Sequence, residues 1–332
     1  IGIDECEIVT VEKKTTTVRI TDSEIAEIKQ NFDKKYGIRI IHQKKIVSIQ
    51  TTDNQNIEKT IDSIFETISN FKPREFWKGL PYKISARKIE GTFDEKLEEI
   101  SGKNSMDIAQ SMINSADSEK IDTITGSLNI VSEDFQLRNS QGLEFNDKAT
   151  YVSGIINAES EQGNIPVSGI GHASGRTLSN FSKEQIGEDA KIMCIESINP
   201  QKIESDTYPI IFEPYSVGEL LAFVVASNFN FKTFTEKKSC FSNKLKEEIG
   251  TKEINLIDDP YAPEGIGTKS IDDEGVETQK KYLVEKGVLK NTFSNLFDSY
   301  KEGQQSTGNA SRPGSPMGRS SEPIPVSSPH NL

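Results

Sequence analysis

Residues 38–71 read IRIIHQKKIVSIQTTDNQNIEKTIDSIFETISNF, and this stretch gives the clearest fold signal in the chain. Two runs rich in β-branched residues flank the Lys44-Lys45 pair, which predicts two strands joined by a tight turn. From Asn54 to Phe71, isoleucine and phenylalanine recur at helical spacing on one face, and Asp53 or Asn54 can cap this helix. The stretch therefore predicts a hairpin followed by an amphipathic helix.

The same reading extends toward both ends of the chain. Residues 6–12 and 16–20 favour strands, whereas 23–36 is compatible with either a helix or a hairpin arm. Residues 71–89, punctuated by proline and glycine, predict a linker. Further on, the spacing predicts a helix that buries Ile108, Ala109, Met112, Ile113 and Ala116. Strands are predicted at 120–131, 136–138, 151–158, 191–198 and 208–212, with a turn at 139–142. Capping boxes are predicted at Thr92–Glu95 and Ser216–Glu219.

This order of elements predicts an α+β fold, because runs of strands are separated by only a few helices. At 332 residues the chain is longer than one hydrophobic core usually serves, so more than one packed unit is expected. We predict an N-terminal unit at 1–90 with strand hairpins and an amphipathic helix, a β-rich middle unit at 91–200, and a C-terminal unit at 201–332. Both ends of the sequence are interpreted as cut, with the C-terminal unit truncated.

Composition and charge narrow the classes of partner. The formal net charge is -12 and the pI is near 5.0, so a nucleic-acid backbone would be repelled. The longest apolar run, 220–226, is far shorter than the roughly 20 residues needed to cross a bilayer. Cys6, Cys194 and Cys240 form no CxxC pair and are interpreted as reduced thiols. We therefore expect a soluble cytoplasmic protein that binds neither nucleic acid nor membrane.

The three histidines, His42, His172 and His330, form no HExxH pattern. His42 alternates within a predicted strand and is interpreted as half-buried. His172 lies in the glycine-rich stretch 168–175, which could be an exposed catalytic loop. The glycine spacing misses GxGxxG, so a flexible surface loop is the preferred interpretation.

Two acidic clusters, 258–259 and 272–274, could bind Ca²⁺ or Mg²⁺ through carboxylate oxygens. Asp followed by Pro or Gly is ordinary turn chemistry, and we interpret both clusters as turns. Cys194 and Cys240 lack an adjacent His or Lys and are interpreted as buried thiols. The residues alone thus predict an α+β protein with no visible catalytic constellation.

A resemblance to a known family adds to this reading. The carrying segments, in chain order, are Gly126-Ser-Leu, Arg138-Asn-Ser-Gln-Gly142, Ile257-Asp-Asp-Pro260, Ile271-Asp-Asp-Glu-Gly-Val276, Leu283-Val-Glu-Lys-Gly-Val-Leu-Lys-Asn291 and Ser306-Thr-Gly-Asn-Ala-Ser-Arg312. Together with the strand pair around residue 37, this ordered set resembles the TldD/PmbA family, once named as modulators of DNA gyrase and now regarded as peptidases.

The resemblance implies a heterodimer that acts on peptides or partly unfolded proteins. The TldD-type partner carries HExxxH on a helix, where two His and a Cys hold zinc and Glu is the base. If the leucines at 220–221 align with those before that motif, its two His and its Glu correspond to Ala222, Ser227 and Phe223. None of these can bind zinc or take a proton, which matches the PmbA/TldE-like branch. No cofactor is therefore expected in this chain, and zinc is expected only in the partner.

The resemblance also implies possible chamber-lining or peptide-binding residues, although a purely structural turn is an equal alternative. These residues are Asp272, Asp273, Glu274, Gly275, Ser306, Thr307, Gly308, Asn309 and Arg312. The chain is expected to be a non-catalytic subunit of a metallopeptidase and not an enzyme by itself. Two alternatives stay open: a homodimeric peptide-binding or scaffold protein of the same fold, and an independent hydrolase with an unrecognised site.

Overall fold

A six-stranded antiparallel sheet forms the centre of the computed structural model, which describes residues 2–53, 55–83 and 87–332. Its strands are β1 (Glu5–Thr21), β2 (Glu24–His42), β3 (Lys45–Thr51), β4 (Thr123–Asn139), β5 (Glu144–Ser160) and β6 (Val167–Gly175), in the order β3-β2-β1-β4-β5-β6. The helices are α1 (Ile57–Thr67), α2 (Glu95–Glu98), α3 (Gly102–Ala116), α4 (Lys183–Glu196), α5 (Pro214–Glu219), α6 (Phe231–Thr235) and α7 (Leu296–Lys301).

Short strands complete the C-terminal part of the chain. These are β7 (Leu256–Asp258), β8 (Lys281–Glu285), β9 (Val288–Leu289), β10 (Ala310–Ser311) and β11 (Val326–Ser327). β7, β8 and β9 form one small sheet, and β10 pairs with β11. The described structure has 23% helix and 33% strand, which confirms the predicted α+β class.

The two faces of the large sheet are covered by different layers. Side chains alternate between faces along a strand. On β1 and β4, Val18 and Leu128 join the core formed with α3 and α4, whereas Val9 and Phe135 lie on the opposite face. There the C-terminal residues 312–323 cross the sheet, and Gly37 lies directly against the Ser321 carbonyl. The sheet is thus enclosed between a helical layer and the C-terminal part of the chain.

The N-terminal hairpins follow the prediction. β1 and β2 pair along their full length, so 23–36 is a hairpin arm and the helical alternative is wrong. This arm extends beyond β3 and is largely exposed, with Phe32 71% exposed, so its apolar residues show no strand alternation. The predicted turn between β2 and β3 is confirmed, and Ile64 of α1 and Ile68, just after it, pack onto Ile38 and Ile40.

Several local predictions are corrected. The range 191–198 was predicted as a strand but lies mostly in α4, whose apolar run packs Ala190 and Cys194 into the core. Residues 208–212 form no strand. Asp94, not Thr92, caps α2 by accepting the Lys96 N–H at 2.9 Å. α5 begins at Pro214, ahead of Ser216.

Asn56, not Asp53, occupies the cap position of α1, and Asp53 instead accepts the Gln55 N–H at 2.8 Å. Asn54, the other predicted cap, lies outside the described residues. The helix burying Ile108 to Ala116 is confirmed as α3, and the 139–142 turn joins β4 to β5. The division into units at 90 and 200 stays a prediction. β3 and β4, on either side of the first boundary, belong to the same sheet. In the described ranges, no helix is long and apolar enough to cross a membrane.

Candidate functional site

The two segments singled out by the sequence, 272–275 and 306–312, lie side by side. The Asp273 N–H donates to the Ala310 carbonyl at 3.1 Å, and the Ala310 N–H donates to Asp272 Oδ2 at 2.9 Å. The Arg312 N–H donates to Asp273 Oδ2 at 2.7 Å. The acidic turn therefore binds the backbone of the second segment through its own carboxylates.

The acidic segment 272–275 is a tight turn, as interpreted from the sequence. Asp272 Oδ1 accepts the N–H groups of Glu274 at 3.0 Å and Val276 at 2.9 Å. Gly275 has φ +89°, a backbone conformation that favours glycine, and a Cβ there would press against the end of the Leu143 side chain. Within the described part of the chain, no group of three or more His, Cys, Asp or Glu side chains could hold a metal ion.

A buried ion network connects this turn to the sheet. Arg39 on β2 bridges two carboxylates: its Nη1 lies 2.7 Å from Glu274 Oε1, and its Nη2 lies 2.9 Å from Glu7 Oε2 on β1. Arg312 Nη2 lies 2.6 Å from the other oxygen of Glu7, and Arg312 Nε donates to the Asp273 carbonyl at 2.9 Å. The four side chains of Glu7, Arg39, Glu274 and Arg312 are at most 3% exposed.

A second set of charges continues the network across β4 and β5. Arg319 pairs with Asp147, and its Nε lies 3.4 Å from Asp273 Oδ1 and 3.7 Å from Glu133 Oε1. Its guanidinium carbon lies 4.4 Å from the centroid of the Phe135 ring. Lys13 on β1 donates to the Arg319 carbonyl at 2.6 Å. The C-terminal segment is thus fixed to the sheet mainly by charge-assisted bonds, which are stronger than neutral ones.

The sheet side of this network is not among the site residues predicted from the sequence. Glu7 and Arg39 lie between apolar residues in predicted strands, and Lys13 directly follows the strand predicted at 6–12. A charged residue at an inward-facing strand position is rare unless it is paired. Charged residues at such positions therefore predict that a segment carrying the opposite charge covers the strand.

Neighbouring carboxyls in the turn have opposite pKa shifts. Burial, together with the adjacent Glu274, raises the pKa of Asp272 to about 7. Burial also acts to raise the pKa of Asp273, but Lys269 and Arg319 outweigh it and hold that pKa below its ordinary value. Near neutral pH, Asp273 carries its charge while Asp272 is partly protonated, which reduces the repulsion inside the turn.

A cleft of about 490 Å³ lies between the C-terminal residues and a helical stretch, 214–229. That stretch comprises α5, a π-helical turn at Leu220–Val225 and a 3₁₀ turn at Ala226–Phe229. Ala222 and Ser227, which the resemblance aligned with zinc-binding histidines, both line this cleft. Phe223 points outward and is 81% exposed.

His330 lies on the other wall of the same cleft, but its ring is already bonded. Nε2 donates to the Gly308 carbonyl at 2.8 Å, and the His330 N–H donates to Asp258 Oδ1 at 2.7 Å. The second oxygen of Asp258 accepts Asn309 Nδ2 at 2.7 Å. Burial lowers the pKa of His330 to about 4, so the ring is neutral near neutral pH and supports the 308–309 backbone.

His172 lies on β6, so its interpretation as part of a flexible loop is wrong. Gly169 and Gly171 face α4, and a Cβ at either position would collide with the α4 backbone. The glycines therefore bring a helix close to the sheet. His172 faces the other way, with its ring centroid 5.6 Å from that of Tyr215. His42 is half-buried at the end of β2, as interpreted.

The cysteines follow the sequence interpretation in part. Cys194 is buried in the core beside α3, as expected. Cys240 is exposed, so its interpretation as a buried thiol is wrong. Its backbone N–H is bonded to Asn228 Oδ1 at 3.0 Å in a surface loop, which an apolarity scale does not reveal.

Two family models match the ends of the chain. The model described as PmbA/TldA metallopeptidase C-terminal domain matches residues 205–332, and PmbA/TldA metallopeptidase domain 1 matches residues 6–70. The chain belongs to the PmbA/TldD family.

Relatives share sequence with this chain, and a solved structure shares its fold. An uncharacterized protein of Methanocaldococcus jannaschii is 32% identical over 178 residues, which is 53% of this chain and 41% of that protein. Metalloprotease PmbA of Escherichia coli O157:H7 is 23% identical over 313 residues, 90% of this chain and 68% of that protein. The structure of TldE from Thermococcus kodakarensis superposes with a TM-score of 0.88 at 21% identity, covering 99% of this chain and 74% of that one. This chain therefore spans only part of its relatives' length.

The donors at the cleft do not fit a zinc ion. Zinc in proteins is held by Cys, His, Asp or Glu side chains. Ala222 has no donor atom, Ser227 offers a hydroxyl, and the Nε2 of His330 is occupied by the Gly308 carbonyl. We derive no catalytic step through a metal in this chain.

Proposed function

We propose that this chain is a non-catalytic, TldE/PmbA-like subunit of a TldD/TldE-type zinc metallopeptidase. In that role it contributes to the proteolysis of peptides or partly unfolded proteins. The observation that carries the proposal is the cleft at 214–229, where Ala222 and Ser227, which the resemblance aligns with the zinc-binding histidines, line the wall and offer no zinc ligand. The zinc and the catalytic base would come from the TldD-type partner.

An exposed apolar surface supports association with such a partner. It comprises Ile203, Ile210, Ile211, Phe212, Phe223 and Val224, all more than half exposed. Single exposed apolar residues are common, but six of them within residues 203–224 favour an interaction surface. Ile211 is 97% exposed, and the group includes part of the helical stretch that lines the cleft. A TldD-type subunit covering this surface would place its own helix near the cleft.

The candidate lining residues contribute indirectly in this proposal. Asp272, Asp273, Glu274 and Arg312 are at most 1% exposed, so they hold the chamber wall in place. Ser306 and Thr307 are only partly buried and are the members of the set that could face a peptide.

The first experiment measures zinc content and peptidase activity of the purified protein, alone and mixed with the HExxxH-bearing relative from the same organism. We expect no zinc and no cleavage from this chain alone, and new or increased cleavage in the mixture. A mixture containing the relative with its motif Glu changed to Gln is the control for contaminating peptidase. Stoichiometric zinc, or chelator-resistant cleavage by this chain alone, would contradict the proposal and favour an independent hydrolase.

A matched pair of variants tests the interaction surface. Ile211→Asp places a charge on the proposed interface, whereas Phe32→Asp places one on the exposed hairpin arm, where Phe32 is 71% exposed. We expect only Ile211→Asp to abolish co-purification with the HExxxH-bearing relative. Stable self-association without any such partner, lost in Ile211→Asp, would support the homodimeric alternative instead.

A further inference from the structure

One edge of the large sheet is open. In the described part of the chain, β6 pairs with β5 and with no other strand. The Ile170 N–H points away from β5, toward Met193 Sδ at 3.4 Å. Because bonded and non-bonded positions alternate in an antiparallel pair, the peptide groups of residues 168, 170, 172 and 174 all face this open edge.

Natural edge strands are usually protected by lysine, proline or a bulge. The sequence of β6, Val-Ser-Gly-Ile-Gly-His-Ala-Ser-Gly, contains no charged residue and no proline, and its pairing with β5 has no bulge. The side chains of Ser168, Ile170, His172 and Ser174 are exposed. The edge is therefore able to accept another strand.

A groove of about 350 Å³ runs along this edge. α4 forms one wall with Asp189, Met193 and Glu196, while Glu213 and Tyr215 close the end near His172. The lining includes three carboxylates and no Lys or Arg. Lys191, on the same helix, is turned away and bonds to Glu188 and the Ser115 carbonyl.

The charge of the groove selects among possible occupants. A second copy of this chain, paired edge to edge, would bring two such sets of carboxylates together, and like charges at short range repel. A cationic segment would instead be attracted by them. An added strand obtains affinity from backbone hydrogen bonds with any sequence, and selectivity from the pockets that receive its alternate side chains.

We propose that the β6 edge and its acidic groove bind an extended cationic peptide as an additional strand. Since alternate side chains of a strand face opposite sides of the sheet, Lys or Arg at one set of positions would lie on the α4 side, beside Asp189 and Glu196, and apolar residues at the other set would lie on the side of Ile170. This proposal names a substrate class and a docking site on this chain. It rests on the proposed function, which supplies the source of the peptide.

Binding is measured with this protein alone, using a short fluorescein-labelled peptide of alternating Lys and Val, followed by fluorescence anisotropy at low salt. A Glu-Val peptide of equal length is the comparison. We expect the Lys-Val peptide to bind at least tenfold more tightly and to weaken as salt is added. Residue-resolved hydrogen exchange should show protection at the amides of Ile170 and His172, with no change at Gly171, which already faces β5.

Variants locate the site without disturbing the core. Asp189→Asn and Glu196→Gln should each weaken binding about threefold, as expected for partly exposed charges. Glu196 lies at the C-terminal end of α4, where a carboxylate is unfavourable, so its loss should not destabilise the helix. Glu184→Gln is the matched control, because its side chain is 66% exposed and lies outside the groove. Ile170→Lys should weaken binding by repelling the peptide.

Equal binding of the two peptides, or equal effects of Glu184→Gln and Glu196→Gln, would overturn the inference. Edge-mediated self-association without peptide would also overturn it, in favour of a second copy as occupant. These results are independent of zinc and of any partner. If the peptide binds but the partner does not cleave it, only the proposed function is refuted. If the partner cleaves the Lys-Val peptide and Ile170→Lys has no effect on that cleavage, only this docking site is refuted.

Discussion

Replacing Arg312 by Met should cost about 3 kcal/mol of unfolding free energy. The guanidinium is fully buried and donates to Glu7, to the Asp273 carbonyl and to the Glu322 carbonyl. Removing one member of a buried pair typically costs about 3–5 kcal/mol, because the remaining charge is left without compensation. The lower end applies here, since Glu7 keeps its bond to Arg39 at 2.9 Å.

The assay is urea unfolding followed by both circular dichroism and fluorescence. Trp77 is the only tryptophan, and it packs with Leu296 and lies 5.7 Å from the Arg39 guanidinium. Its emission therefore reports the docking of the C-terminal residues onto the sheet. Coincident transitions by the two signals would justify a two-state free energy.

Two further variants make this prediction refutable. Lys34→Met removes a surface partner of Glu12, whose pair is solvent-exposed, and should leave the midpoint unchanged. Glu7→Gln combined with Arg312→Met should destabilise by less than the sum of the two single changes, because they share one bond. The prediction is refuted if Arg312→Met lowers the unfolding free energy no more than Lys34→Met does. It is also refuted if the free-energy losses of Arg312→Met and Glu7→Gln are strictly additive. Either result would show that the network does not hold the C-terminal residues on the sheet.

Three further properties of the fold can be checked in the same way. The pKa of Asp272, about 7, lies above its ordinary value of 3.8, so the folded state binds the extra proton between these values and stability falls as pH rises through them. Unfolding at a series of pH values should show this slope reduced in Asp272→Asn by up to about 1.4 kcal/mol per pH unit. Gly171→Ala should destabilise by about 1–3 kcal/mol, because its Cβ meets the α4 backbone. Gly218→Ala, with open space around it, should not destabilise the protein in the same urea assay. An aromatic disulfide reagent should modify Cys240 in the folded protein and Cys194 only after unfolding; equal rates would contradict the burial described.

Much of the fold could be predicted from local periodicity. The hairpin at β2 and β3, the helix α1 and the buried face of α3 depend on short-range alternation, which the sequence displays directly. The range 23–36 could not be resolved in this way. Its residues form an arm of β2 without a covering layer, so burial does not impose a two-residue period there.

Other failures arise from contacts between distant elements. The range 191–198 contains a dense apolar run that favours a strand by composition, but α4 gains burial by lying on the glycine face of β6. The glycines at 169 and 171 carried that information in their two-residue spacing, which is the period of a strand face. Because glycine also permits turns, local propensity predicts a flexible loop there and cannot distinguish the two uses.

The candidate site was predictable in position but not in chemistry. The resemblance marks 272–275 and 306–312 as candidate chamber-lining segments, and in the structure these two segments are hydrogen-bonded to each other. Their carboxylates were considered for metal binding or peptide contact. Glu274 pairs with Arg39 and Arg312 pairs with Glu7, more than two hundred residues away in each case, so the local pattern indicates that a partner is needed but not which residue it is.

The ion network also bears on how the cleft keeps its shape. A buried triad such as Glu7, Arg39 and Glu274 is weak evidence for stability, because apolar residues of equal volume are often as stabilising. Charged pairs, however, tolerate fewer arrangements than apolar contacts, and Arg312 follows directly after β10, which pairs with β11. Ser327 of β11 lines the cleft and its carbonyl accepts Asn230 Nδ2 at 3.1 Å. Through Arg312, the network therefore connects β10, and with it β11 and the cleft wall, to the large sheet.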